Sequence, residues 1–132
     1  MAKIDDGPVR ELLDEPNYAV VSTLDEHGEI HSAVVWQTVE GGNVTVNSAI
    51  GRKWPANLDR DGRVTVTVWK ADNPYEYVEI RGRAEGTTEG ADEHIDALSK
   101  KYIGQDEYPF RQPGEQRKKY VVTPTVVRHQ KQ

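Results

Sequence analysis

Residues 64–70 read VTVTVWK. Val64, Val66 and Val68 alternate with Thr65, Thr67 and Trp69, a period of two that a β-strand converts into one apolar and one polar face. The alternation returns after an ADNP turn, in residues 75–87, YEYVEIRGRAEGT. There Val78, Ile80, Gly82 and Ala84 form the apolar face, and Tyr77, Glu79, Arg81 and Arg83 the polar one. A strand this long bends, and Gly82 is the expected place for a kink or bulge. Two such strands in succession need cover for their apolar side, so the chain must fold around a sheet.

The other segments fill in that sheet. YAVVSTL at 18–24 is β-branched and aromatic, and DEHG at 25–28 is a turn. EIHSAVVWQTV at 29–39 reads as a second strand, with Ile30, Ser32, Val34 and Trp36 on one face and His31, Ala33, Val35 and Gln37 on the other. Glu40-Gly41-Gly42 is a hairpin turn into NVTVN at 43–47, so the first three strands read as a meander. Residues 90–103 change period: Ile95, Leu98 and Tyr102 recur at helical spacing. Glu89, Asp92 and Glu93 open that helix, Lys100 and Lys101 close it, and Gly104 ends it, as the helix dipole and a glycine C-cap require. KYVVTPTVVR at 119–128 is a last strand, with Pro124 restricted to an edge or bulge. A short helix spans Pro8 to Asp14 with Val9, Leu12 and Leu13 inward. The expectation is a single domain over residues 1–132. It is mainly β, about six antiparallel strands closed into a barrel with a few short helices, and lacks the βαβ alternation of parallel folds.

Composition narrows the partners. The net charge is −5 with 36% hydrophobic residues, whereas a nucleic-acid binder shows a basic excess or stripe. No apolar run approaches the ~18 residues of a membrane span, and MAKIDDGPVRELLDEP is no signal peptide. The reading is a soluble cytoplasmic protein with no nucleic-acid or membrane partner. There is no cysteine, and His27, His31, His94 and His129 lack metal-ligand spacing, so no metal site is expected. His94 reads as the exposed face of its helix. Glu76 and Glu79 fall on opposite strand faces and make no acid/base pair.

One stretch carries chemistry. NSAIGRKWPANLDRDG, residues 47–62, places Asn47 and Ser48 at a strand end, then Arg52 and Lys53, then a short helix that Pro55 and Asn57-Leu58 begin and Asp61-Gly62 ends. Free amides of a helix start, the dipole and two cations favour a phosphate. Arg52 can fork onto phosphate oxygens, Lys53 adds a point charge, and Ser48 can donate a hydroxyl. Neither a Walker loop nor a dinucleotide fingerprint is present.

The succession STLDEHGEIHSAVVW, VNSAIGRKWPANLDRDGRVTV, YVEIRGRAEGT, GADEHIDALSKKYIG and a final V-x-P-x-x-V strand resembles the split-barrel flavin and deazaflavin oxidoreductases. This is the pyridoxamine 5′-phosphate oxidase-like superfamily, and the deazaflavin branch matches best, from Val9 to Arg128. The resemblance implies a six-stranded split β-barrel, a homodimer with cofactor at the subunit interface, and coenzyme F420 as cofactor, with FMN the alternative. It implies an oxidoreductase that passes a hydride between the deazaflavin and a small planar conjugated substrate. The alternatives are an FMN-dependent oxidoreductase or oxidase, and a non-catalytic cofactor-binding dimer. Cofactor-binding positions carried by the resemblance are Ser48, Arg52, Lys53 and Asn57 at the phosphate, with Asn47 and Trp54 in the same stretch. Ser32, Val34 and Trp36 fall beside the ring, and Trp69 and Tyr77 would come from the partner subunit. Trp36 and Trp69 taken alone read as core aromatics. Many relatives have a lysine where this chain has Trp54, one position after Lys53. The chain lacks the C-terminal extension that contributes to pyridoxal-type substrates, so that activity is not expected. No side chain is assigned as catalytic, since the cofactor carries the hydride. Tyr108-Pro109-Phe110 reads as a loop that either covers a substrate or packs on the barrel.

Overall fold

The computed structural model describes residues 2–132. Three helices and seven strands follow the chain: α1 (Gly7–Asp14), β1 (Ala19–Leu24), β2 (Ile30–Val35), β3 (Thr38–Glu40), β4 (Asn43–Ala49), α2 (Lys53–Arg60), β5 (Arg63–Lys70), β6 (Asn73–Thr87), α3 (Ala91–Ile103) and β7 (Arg117–Gln130). The strands form one antiparallel sheet in the order β2-β1-β5-β6-β7-β4-β3. Among the described residues no helix is long and apolar enough to cross a membrane.

The six-stranded closed barrel is therefore corrected to seven strands in an open sheet. The segment expected as one strand over 29–39 is broken at Trp36-Gln37. The backbone there turns from its neighbours to other partners. Gln37 N donates to the Tyr102 hydroxyl at 3.2 Å, and Gln37 O accepts from Lys101 Nζ at 2.8 Å. The Gln37 side chain is fully buried and donates to Leu13 O at 2.9 Å. Those bonds satisfy the peptide groups as well as a ladder would, without extending the sheet.

The meander is also replaced. β1 and β2 pair, but β4 pairs with β3 and β7, at the far end of the sheet. The two edge strands, β2 and β3, are thus neighbours in the chain. Val35 and Thr38 are three Cα steps apart, at most about 11 Å, so the sheet curls almost upon itself and stays split along that seam. Gly41 and Gly42, at φ 56° and 78°, make the tight turn of the β3–β4 hairpin.

Inside the curl lie Val66 and Val68, Val78 and Ile80, Val44 and Val46, and Tyr120, all buried. Each valine contributes about 1.5–3 kcal/mol by leaving water. Leu12 and Leu13 of α1 add to the same core. The long β6 changes register against β7 between Arg81 and Gly82, where Gly82 faces Pro124. The expected bulge is there, and it gives Pro124 a place within a strand flanked by β6 and β4. α3 ends at Gly104 in the left-handed conformation (φ 72°), with Asp92 and Glu93 in its first turn and Lys100 and Lys101 in its last.

Candidate functional site

A cavity of about 420 Å³ opens beside Trp36, at the break between β2 and β3. β2 turns His31, Ala33 and Val35 toward it, and α3 supplies Ile95 and Leu98. Arg52, Lys53 and Trp54 enter from the start of α2, Asn47 from β4, Arg117 from β7, and Tyr108 and Phe110 from the loop after α3. The wall thus holds three cations and no carboxylate, in a chain of net charge −5.

The aromatic wall is ordered. Trp36 lies beyond the end of β2 and leaves its alternation. Its ring stacks on Tyr102 at 5.3 Å and 9° and meets Tyr108 edge-on at 6.1 Å and 89°. Phe110 packs on Tyr108 at 5.7 Å while remaining largely exposed. The Tyr108 amide donates to Asp96 Oδ1 at 2.8 Å, and Arg111 reaches the same carboxylate, which ties this loop to α3. Trp54 is buried against Tyr120 at 5.6 Å. It serves the core and the cavity together.

Beneath the cavity, α3 covers a polar network on β3, β4 and β7. His94 is buried, so its expected place on an exposed helix face is corrected. Asn47 Nδ2 donates to Ala91 O at 2.9 Å and to His94 Nδ1 at 3.0 Å, and Asn47 Oδ1 accepts from Arg117 Nε at 2.9 Å. Arginine can only donate, which settles the amide's orientation and makes His94 Nδ1 the acceptor. His94 Nε2 then carries the hydrogen, toward Thr38 Oγ1 at 2.9 Å or Thr45 Oγ1 at 3.0 Å. Burial pushes the His94 pKa down to about 4, and the ring is neutral.

The structure separates the sequence-derived positions into three groups. Val34, Trp36, Asn47, Arg52, Lys53 and Trp54 come together at the cavity. The Asn47 amide is spent within the protein, and Arg52 and Lys53 are exposed at the helix start. Ser48 and Asn57 are buried outside the wall. Asn57 donates to Thr23 Oγ1 at 3.0 Å and accepts from Arg60, while Ser48 Oγ has no hydrogen-bond partner. Ser32, Trp69 and Tyr77 lie on the outer face of the sheet, where Ser32 bonds Ser22 at 2.9 Å and Trp69 pairs with Tyr77 across β5 and β6. Arg117 escaped the sequence reading. The only signal was the basic run at residues 117–119, which gives no hint that its first member is buried.

A curled, split antiparallel sheet with a cation-lined and aromatic-walled cavity at its seam defines a class of small β-proteins suited to a flat anionic ligand. The chain belongs to the pyridoxamine 5′-phosphate oxidase family, whose profile matches residues 6–131. This is a family of flavin-binding proteins with oxidoreductase members. Among solved structures, an F420 reductase is similar at 24% identity and TM-score 0.78, over 90% of this chain and 94% of that one. A conserved hypothetical protein from Mycobacterium tuberculosis is similar at 18% identity and TM-score 0.75, over 98% and 88%. General stress protein 26 from Bacillus anthracis is similar at 16% identity and TM-score 0.67, over 92% and 89%. At these identities the structural likeness establishes the fold. No curated protein matches the chain in sequence.

Proposed function

We propose that this protein is an F420-dependent oxidoreductase that reduces a small planar conjugated compound, acting as a homodimer. The observation that carries the reading is the cavity itself: Arg52, Lys53 and Arg117 in a wall without a carboxylate, beside Trp36, Trp54 and Tyr108. The residues fit a flavin or deazaflavin, which joins a flat ring to an anionic tail. The bound cofactor supplies the hydride chemistry. Arg52 and Lys53 hold the tail at the start of α2, where unpaired helix amides add to their charge. Trp36 and Tyr108 give the ring apolar surface and exclude water from one side. The F420 preference is supported by the structural likeness to an F420 reductase. FMN is the second reading, favoured by the family profile.

The dimer is supported by the outer face of the sheet. Ile30 and Val34 are 76% and 68% exposed, and they lie on the face that carries Trp69 and Tyr77. Apolar side chains at such exposure on one sheet face mark a surface made for a partner, here a second copy that brings Trp69 and Tyr77 toward the other cavity.

Titration with coenzyme F420 and with FMN, read by tryptophan fluorescence, tests the assignment. The expected result is quenching by both with tighter binding of F420. Tighter FMN binding would move the protein to the second reading, and no quenching by either would remove both. Arg52→Ala is expected to weaken cofactor binding by about 1.5–3 kcal/mol, the scale of a charge-assisted hydrogen bond.

A further inference from the structure

Arg117 is the least explained group in the molecule. Its side chain is only 3% exposed, and a buried guanidinium is costly unless its donors are used. Nε is used, on Asn47 Oδ1. Nη1 lies 3.2 Å from Glu115 Oε2, yet the pair is misaligned, and both atoms are buried without a hydrogen bond. Nη2 bonds no described residue. Tyr108 covers one face of the group, its ring centroid 5.1 Å from Arg117 Cζ, which leaves the guanidinium edge. A purely structural buried arginine has its fork filled, because every unfilled donor adds to the cost of burial.

Its position says which end of a ligand it meets. Arg117 faces Ala49 across the β4–β7 ladder. The next bond, Ile50 N to Gln116 O at 2.8 Å, fastens the start of the loop that carries Arg52. Arg117 therefore stands at the Arg52 and Lys53 end of the cavity, and it is the cation there that folding holds rigid. Asn47 fixes Nε, and His94 fixes Asn47 by accepting from its amide.

We propose that Arg117 is a ligand-contacting residue of this cavity, donating through its free edge to the anionic tail of the bound cofactor, with Asn47 and His94 as positioning residues that aim it. The assignment rests on the flavin or deazaflavin reading above. It makes the anion site one rigid buried cation flanked by two exposed ones, with the Glu115 carboxylate 3.2 Å from Nη1 as a competing charge.

FMN and riboflavin share a ring and differ by the phosphate, so they separate reading of the anion from shaping of the cavity. Dissociation constants are measured by fluorescence for wild type, Arg117→Gln, Asn47→Ala and Glu115→Gln, with thermal melting of each. Arg117→Gln is expected to weaken FMN by about tenfold or more, the effect of a lost charge-assisted hydrogen bond, and riboflavin by less than about twofold. Asn47→Ala follows in the same direction with a smaller change. Glu115→Gln keeps the shape and removes the competing charge, and is expected to tighten FMN several-fold while riboflavin stays unchanged. It also serves if Arg117→Gln does not fold. Unchanged FMN affinity in either variant, or an equal loss of riboflavin, overturns the assignment. A wild-type chain that binds neither FMN nor F420 overturns the function reading and takes this assignment with it.

Discussion

His94 shows how one residue acquires a meaning its neighbours in the chain do not convey. By spacing it belongs to an amphipathic helix, and a lone histidine there is ordinarily solvated. In the fold it is neutral, its pKa lowered to about 4 from 6.5, chiefly by burial, with Lys119 and Arg117 adding to the drop and Glu40 opposing it. Between about pH 6.5 and pH 4 the unfolded chain binds a proton that the folded chain refuses. The contribution to stability is therefore complete above pH 6.5 and is lost as the pH falls through that window. Its size is on the order of 3 kcal/mol. Urea midpoints at pH 7 and pH 5 are expected to differ less in His94→Gln than in wild type. Equal differences would remove His94 as the source. Arg117 carries the same lesson. One of three adjacent basic residues, it is set apart only because β7 turns it beneath α3.

At the scale of elements, the periodic segments were legible and the break was not. The alternation in residues 64–70 and 75–87 became β5 and β6, with Val66, Val68, Val78 and Ile80 buried as expected. Gly82 stands opposite the bulge, where β7 carries Thr125 as an extra residue, for a steric reason: a Cβ there would sit 2.1 Å from Thr123 O and 2.9 Å from its carbonyl carbon, both backbone atoms. Gly82→Ala is accordingly expected to destabilise the fold by more than about 2 kcal/mol, read as a lowered melting temperature. An unshifted melt would mean that the bulge relaxes without cost. The interruption at Trp36-Gln37 has no local signature, because VVWQTV suits a strand throughout. It is imposed from α3 by Lys101, whose ammonium donates to Leu13 O at 2.6 Å and Gln37 O at 2.8 Å. Lys101→Met removes the shared donor, leaving Leu13 O to the Gln37 amide alone and Gln37 O to the Tyr102 hydroxyl at 3.4 Å. It is expected to loosen the β2–β3 seam, seen as faster amide exchange at Gln37 and Thr38 than in wild type.

For the whole molecule, the proposed dimer sets the outer face of the curled sheet, with Ile30 exposed on it, against a second copy. Ile30→Asp places a charge on that face without touching the core or the cavity wall. It is expected to shift the protein from dimer to monomer in sedimentation velocity and to weaken F420 binding, since Trp69 and Tyr77 of the partner would be withdrawn. A wild-type monomer that binds cofactor normally would refute the shared cavity.

Seen from the sequence, the strands and helices, the glycine bulge, the proline in the last strand and the cation pair at the start of α2 follow from local rules. Periodicity, turn chemistry and dipole preference act within a few residues of each position. The strand order, the split seam and the burial of His94 and Arg117 depend on contacts between segments far apart in the chain. Gln37 meets Tyr102, Asn47 meets Arg117, and Thr38 meets His94. Such pairings rest on which faces find each other when the sheet curls, and that choice belongs to the packed molecule.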